Sequence, residues 1–199
     1  MSLSRNSEHP IAQLFLDRRS PRAFKAELID DATLFGLFEA ARWAPSANNA
    51  QPWRFIYARN GSPHWSRLFG LLNENNQAWA GRASALVVLV SKTTHLRKGD
   101  SQETPLRSHS LDAGAAWASL ALQAEHAGWH AHGIGGFDRE RARTELGIPE
   151  GYQVELAIAI GKRVDPASLT AEQREREVPT QRKPLDSLIA EGRFDFEAA

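Results

Sequence analysis

Cysteine is absent from the 199-residue sequence, which excludes disulfides, thiolate catalysis and zinc sites built on sulfur, though not an oxidising compartment. An excess of either charge is absent too. The 24 Lys and Arg balance 24 Asp and Glu, so the uniformly basic surface of a non-specific nucleic-acid binder is excluded and any positive site must be local. No run approaches the roughly 18 apolar residues of a membrane span, and residues 1–10 are polar, without the apolar centre of a signal peptide. A cytoplasmic protein that neither crosses a membrane nor binds nucleic acid is expected.

What is present is enough apolar material, 42% of residues, to bury one substantial core, and residues 1–199 read as a single domain. Residues 29–43 predict a helix: Asp30 or Asp31 can cap it, and Leu34, Leu37, Phe38 and Ala41 recur on one face. Trp53 to Ala58 has the aromatic and β-branched content of a strand, with Asn60-Gly61 as a turn beyond it. Leu86 to Val90 and Val154 to Ile160 are apolar runs of strand length, as in central strands covered on both faces.

Residues 109–127 predict a helix that is apolar almost all round and rich in small residues, one that its own core or a partner must cover. A short helix is expected over 139–146, ending at Gly147. Ser91 to Ser108 is polar and aperiodic, which suits a surface loop or lid. From about residue 162 to the C-terminus the chain reads as an arm, charged up to Lys183 and punctuated by Pro166, Pro179 and Pro184; an extended course suits it better than a packed element.

Two constellations bear on chemistry. Arg18-Arg19-Ser20-Pro21-Arg22 puts three guanidiniums and a hydroxyl within five residues, and arginine forks match phosphate oxygens. Alone, such a run reads more readily as a solvated basic patch. The second is Ala44 to Phe55, where two prolines fix the course of a loop while Ser46, Asn48, Asn49 and Gln51 offer groups that both donate and accept, as a heterocycle with mixed edges requires.

With Gly133-Ile134-Gly135-Gly136-Phe137-Asp138 and Arg182-Lys183-Pro184-Leu185, these segments occur in the order seen in FMN-dependent nitroreductases, and the resemblance spans roughly residues 10–195. It implies an α+β sandwich-like fold with a central, mainly antiparallel sheet flanked by helices. It also implies a homodimer with exchanged C-terminal arms and FMN sites between subunits. By that resemblance Arg18 and Ser20 contact the phosphate and ribityl chain, Arg19 lies adjacent, and Arg22 is the cation near flavin N1 and O2. Pro45, Ser46 and Asn49 would reach the flavin of the other subunit, and Asn76 the pyrimidine ring. Gly135 and Gly136 would pass close to N5 and O4, with Gly133 and Ile134 also counted among the cofactor-binding residues and Arg182, with Lys183 beside it, resembling the C-terminal phosphate anchors. NADH or NADPH would give hydride to N5 and a small flat acceptor, such as a nitroaromatic or quinone, would take it, with no side-chain acid or base required.

The sequence departs from the family pattern at three positions. Gly135 stands where some members carry an acid, Trp79 where some carry a lysine, and Asp112 where some carry an amide. These leave the acceptor open among nitroaromatics, quinones, enones, free flavin and halogenated phenols, and leave open a flavin-binding protein of little turnover. Other readings find less support. Gly133 to Gly136 lacks the full dinucleotide-binding spacing, and no serine-hydrolase motif occurs. His126, His130 and His132 lack a clear carboxylate to complete a metal site, although His126 and His130 would share a face if helical. Trp43, Trp53 and Trp117 are read as core or interface residues, and Trp65, Trp79 and Trp129 as candidates to line the acceptor pocket.

Overall fold

The computed structural model describes residues 5–196. A short helix α1 (Gln13–Asp17) precedes α2 (Asp31–Arg42), which Asp30 caps by accepting the Thr33 N–H. Strand β1 (Trp53–Arg59) follows, then α3 (Trp65–Phe69) and α4 (Glu74–Ala80). β2 (Ala85–Lys92) leads into a two-stranded hairpin of β3 (Thr94–His95) and β4 (Thr104–Pro105), and then into α5 (His109–His126). The chain continues through β5 (His130–Ile134), α6 (Arg139–Glu145), β6 (Tyr152–Gly161) and α7 (Ala171–Arg176).

The main sheet runs β1-β2-β6-β5 with every pairing antiparallel, and helices cover both faces, as the two long apolar runs require. Val87, Leu89, Ile158 and Ile160 face α2 and α5, while Leu86, Val88, Ala157 and Ala159 face the layer that includes Leu68, Leu71 and Ala142 from and around α3 and α6. β6 carries a bulge against β2: Leu156 pairs with Leu89 and Val154 with Val90, so Glu155 has no partner in the ladder. Such an extra residue re-aims its side chain and twists the strand.

Two expectations need correction. The 91–108 segment is not wholly irregular: it contains the β3–β4 hairpin and anchors through buried Leu106. Residues 162–178 are not an extended arm either. Lys25 N–H donates to Lys162 O and Val164 N–H to Ala23 O, Leu169 is buried, and α7 forms behind a Thr170–Gln173 capping box. Charge and prolines misled here because a short capped helix needs few apolar residues when one or two of them anchor it. The sheet, by contrast, follows the apolar runs of the sequence.

Candidate active site

The Arg18–Arg22 segment leaves α1 in a non-helical course that Pro21 fixes, and Pro21 O receives Nδ1–H of buried His132 on β5 at 2.9 Å. This tether brings the basic segment over the sheet edge. There Arg5, Arg18, Arg19, Ser20, Arg22, Arg176 and Arg182 line a cavity of about 230 Å³. Among the described residues, no ion pair engages Arg5, Arg18, Arg19, Arg22 or Arg182. Burial, and then neighbouring guanidiniums, hold Arg5 and Arg18 below the usual arginine value; Arg19 is lowered by burial and then by Arg163. Like charges gathered in excess of counter-charge are unfavourable, and an anion in the space would relieve them. The Glu177 carboxylate, which also borders the cavity, accepts the backbone N–H groups of Arg22 at 2.6 Å and Ala23 at 3.1 Å.

Beside this cavity lies an open, mainly apolar groove lined by Phe15, Arg18, Ser20, Trp117, Leu122 and Leu156, with Gly133 at its floor. A Cβ on Gly133 would sit 3.0 Å from Leu156 Cδ2 and 3.2 Å from Trp117 Cζ2. Further along, Gly136 packs closely: a Cβ there would lie 2.5 Å from Asn73 Nδ2 and 2.7 Å from Asn76 Nδ2, so these amides would have to shift. Asn76 Nδ2 donates to Gly136 O at 2.9 Å and Trp79 Nε1 donates to Asn76 Oδ1 at 3.1 Å, so the amide of Asn76 is engaged in holding the glycine turn. Trp79 itself packs 4.6 Å from the ring of His132. Burial and Arg22 keep His132 below the usual histidine value, which Pro21 O partly opposes.

The loop of Pro45, Ser46 and Asn49 lies elsewhere in the same chain. Asn48, Asn49 and Gln51 all adopt the left-handed region, with φ of 51°, 54° and 46°, an unusual set for residues other than glycine. Ser46 Oγ accepts the Gln51 N–H at 3.0 Å, and Asp112 in the first turn of α5 accepts the Ala47 N–H at 3.2 Å and the Ser108 hydroxyl at 3.0 Å. The Asp112 charge therefore has donors of its own and the favourable end of a helix. One chain thus brings Arg18, Arg19, Ser20, Arg22 and Arg182 together, and places Gly133 beside them. Pro45, Ser46 and Asn49 do not line the arginine cavity, and Lys183 is exposed outside it.

Sequence reasoning missed Arg5, Arg176, Glu177 and His132 as cavity residues. The histidine trio was visible, but His126 ends α5 and His130 begins β5, so those two do not share a helical face. His130 is pushed down to about 4 by burial, Arg163 and Arg19. Of the tryptophans, Trp129 is core, with Lys162 Nζ 5.1 Å from its ring centroid, and Trp65 stacks on Phe69. Trp43 is exposed, which leaves only the interface half of its expected role.

A cavity lined by guanidiniums beside an open, mainly apolar groove is an arrangement suited to an anionic ligand with an apolar part. The chain belongs to the Nitroreductase family, whose model matches residues 16–68 and 62–162, and is an oxidoreductase of that family. A solved oxidoreductase containing FMN is 46% identical, with a TM-score of 0.91 over 97% of each chain. An NADH dehydrogenase of Thermus thermophilus is 30% identical over 203 residues, covering 87% of this chain and 92% of that protein. A Streptomyces coelicolor protein named for NADH dehydrogenase or NAD(P)H nitroreductase activity is 42% identical over 78 residues, 39% of this chain and 38% of that protein.

Proposed function

We propose that this chain, acting as one domain, is an FMN-dependent reductase that takes hydride from NADH or NADPH and passes it to a small flat acceptor such as a nitroaromatic or a quinone, in ping-pong fashion. The observation that carries this reading is the cavity in which Arg5, Arg18, Arg19, Arg22 and Arg182 gather without an ion pair among the described residues, beside the groove that Gly133 lines. The similarity to an FMN-containing oxidoreductase supports the cofactor, and the relatives' names support the nicotinamide donor.

The residues present fit that cofactor. Arg18, Arg19, Ser20 and Arg182 offer charged or hydroxyl donors around one cavity, as a phosphate requires. Bound FMN would supply a ring that accepts hydride and releases it. The chain's own work is to anchor the phosphate, to set Arg22 where negative charge collects on the ring, and to keep the groove flat enough to stack a planar guest.

The groove, the exposed Leu111 on α5 and the exposed Leu188, Ile189 and Phe194 of the C-terminal segment support a homodimer in which the partner supplies Pro45, Ser46 and Asn49. Since residues 162–178 pack on their own subunit, exchange falls to the chain beyond them. Among the described residues no helix is long and apolar enough to cross a membrane, and a cytoplasmic enzyme is proposed. The test is an absorbance spectrum of the purified protein before and after anaerobic NADH and then NADPH. Flavin bands that bleach with either donor are expected; a colourless protein that does not take up added FMN would overturn the proposal. Bands that stay unbleached would replace the enzyme with a flavin-binding protein.

A further inference from the structure

The two walls of the arginine cavity come from opposite ends of the chain. Arg18 to Arg22 form one, and Arg176, Glu177, Val178, Pro179, Thr180 and Arg182 form the other. An anion gripped by guanidiniums from both needs the walls at one spacing, and that spacing must be set across the 155 positions that separate Arg22 from Glu177.

The first wall is fixed through its backbone. Pro21 O accepts Nδ1–H of His132 at 2.9 Å, and Ala23 O accepts the Val164 N–H at 2.9 Å, where Phe24 bridges to Arg163. Between these tethers stand the N–H groups of Arg22 and Ala23. Both donate to a single atom, Glu177 Oε1, at 2.6 Å and 3.1 Å. Residues 21–23 are therefore anchored by main-chain groups, which leaves the Arg22 guanidinium clear of the tether. The second wall is fixed to its own helix. Glu177 is the C-cap of α7, and its N–H donates to Gln173 O at 3.0 Å and Arg174 O at 3.2 Å. α7 itself starts at the Thr170–Gln173 capping box, next to buried Leu169. The Glu177 side chain thus spans from an anchored helix to an anchored strand, as a spacer of set length.

Charge alone argues against a carboxylate here. Beside an anion site it disfavours the anion by repulsion, so what Glu177 adds to binding must come through the shape it imposes. We propose that Glu177 is a positioning residue for the cofactor phosphate, an inference that rests on the reading of the arginine cavity as the phosphate site of FMN. Its oxygen holds Arg22 and Ala23 at a fixed distance from residues 176–182, so that Arg18 and Arg19 on one wall and Arg182 on the other converge on one anion. Charge-assisted hydrogen bonds are short, and their strength falls as the donors draw away. The neighbouring groove takes no residue from 176–182. A part of the ligand held there depends little on the spacing.

Two substitutions separate reach from charge, and two ligands separate phosphate from ring. Glu177→Asp keeps the charge and withdraws the acceptor by one methylene, whereas Glu177→Gln keeps a carbonyl oxygen at full reach and removes the charge. FMN, and riboflavin as the same flavin without its phosphate, are titrated into the flavin-free chain by fluorescence quenching. The wild type is expected to prefer FMN by about 100-fold, the worth of two charge-assisted contacts; a wild type without that preference would sink the phosphate reading itself. Given the preference, Glu177→Asp should lose about 10-fold of it, through weaker FMN binding with riboflavin binding unchanged. Glu177→Gln should bind FMN at least as tightly as the wild type. Amide exchange at Arg22 and Ala23 should quicken in Glu177→Asp and match the wild type in Glu177→Gln. Full preference for FMN in Glu177→Asp, or a loss in Glu177→Gln as large as in Glu177→Asp, would overturn the role of Glu177.

Discussion

At Arg18 and Arg22 two demands conflict: anion binding wants guanidiniums close together and unpaired, and the empty fold does not. Replacing both by Ala is expected to remove the flavin, since each charge-assisted contact is worth roughly 1.5–3 kcal/mol, and the visible absorbance of the purified variant reads the loss directly. The same substitution relieves repulsion among Arg5, Arg18 and Arg182. The flavin-free variant should therefore melt no lower than the flavin-free wild type, a trade of stability for function. A variant that keeps its full flavin would show that the anion sits elsewhere. His130 yields a second prediction. Its folded value of about 4 lies below the ordinary histidine value, so the native state binds fewer protons than the unfolded chain. Its contribution is whole above about 6.5 and is lost as pH falls through about 4, by up to about 3 kcal/mol. Partly buried Glu125, 3.9 Å away, has its carboxyl raised, which opposes this trend. The comparison is therefore with His130→Asn: the melting-temperature advantage of the wild type at pH 7.5 should shrink or reverse at pH 4.5.

Among the elements, the Pro45–Pro52 loop depends on the first turn of α5. Three left-handed residues hold their shape because Ser46 closes the loop and Asp112 takes the Ala47 N–H. Asp112→Ala removes the acceptor of two donors and an acid at a helix start. A loss of about 1–3 kcal/mol is expected in thermal or denaturant unfolding, together with faster amide exchange at Ala47. Unaltered exchange would mean that the prolines alone fix the loop. This dependence also shows where sequence reading reached and where it stopped. β2 and β6 were legible because continuous apolar runs have few other homes, and Asp30 and Gly147 marked helix ends by their own chemistry. The arginine segment and the glycine turn were legible as a pattern in order along the chain. The hold of Asp112 on Ala47, and that of Glu177 on the Arg22 and Ala23 amides, joins residues 65 and 155 positions apart, which no local signal encodes. The bulge at Glu155 was hidden for a related reason: it is set by register against β2, while the residue itself reads as one polar position in a strand.

For the whole molecule, the proposed dimer turns on how one chain places the two parts of the proposed site. The arginine cavity and the glycine turn are in place, yet Pro45, Ser46 and Asn49 stand apart from them, and the groove beside Arg18 is open along α5. Leu111 is 77% exposed on the same helix, and its small neighbours Gly114, Ala115 and Ala118 would let a second backbone come close. A two-fold related copy would cover each groove with the other's surface, since a self-complementary patch closes on itself. A charge placed there should oppose both association and cofactor retention. In Leu111→Glu, sedimentation velocity is expected to shift towards the monomer, and flavin occupancy should fall on dilution more steeply than in the wild type, because a ligand held between subunits is linked to their association. A variant that becomes monomeric but keeps its flavin on dilution would confine the site to one chain, and Pro45, Ser46 and Asn49 would then need another role.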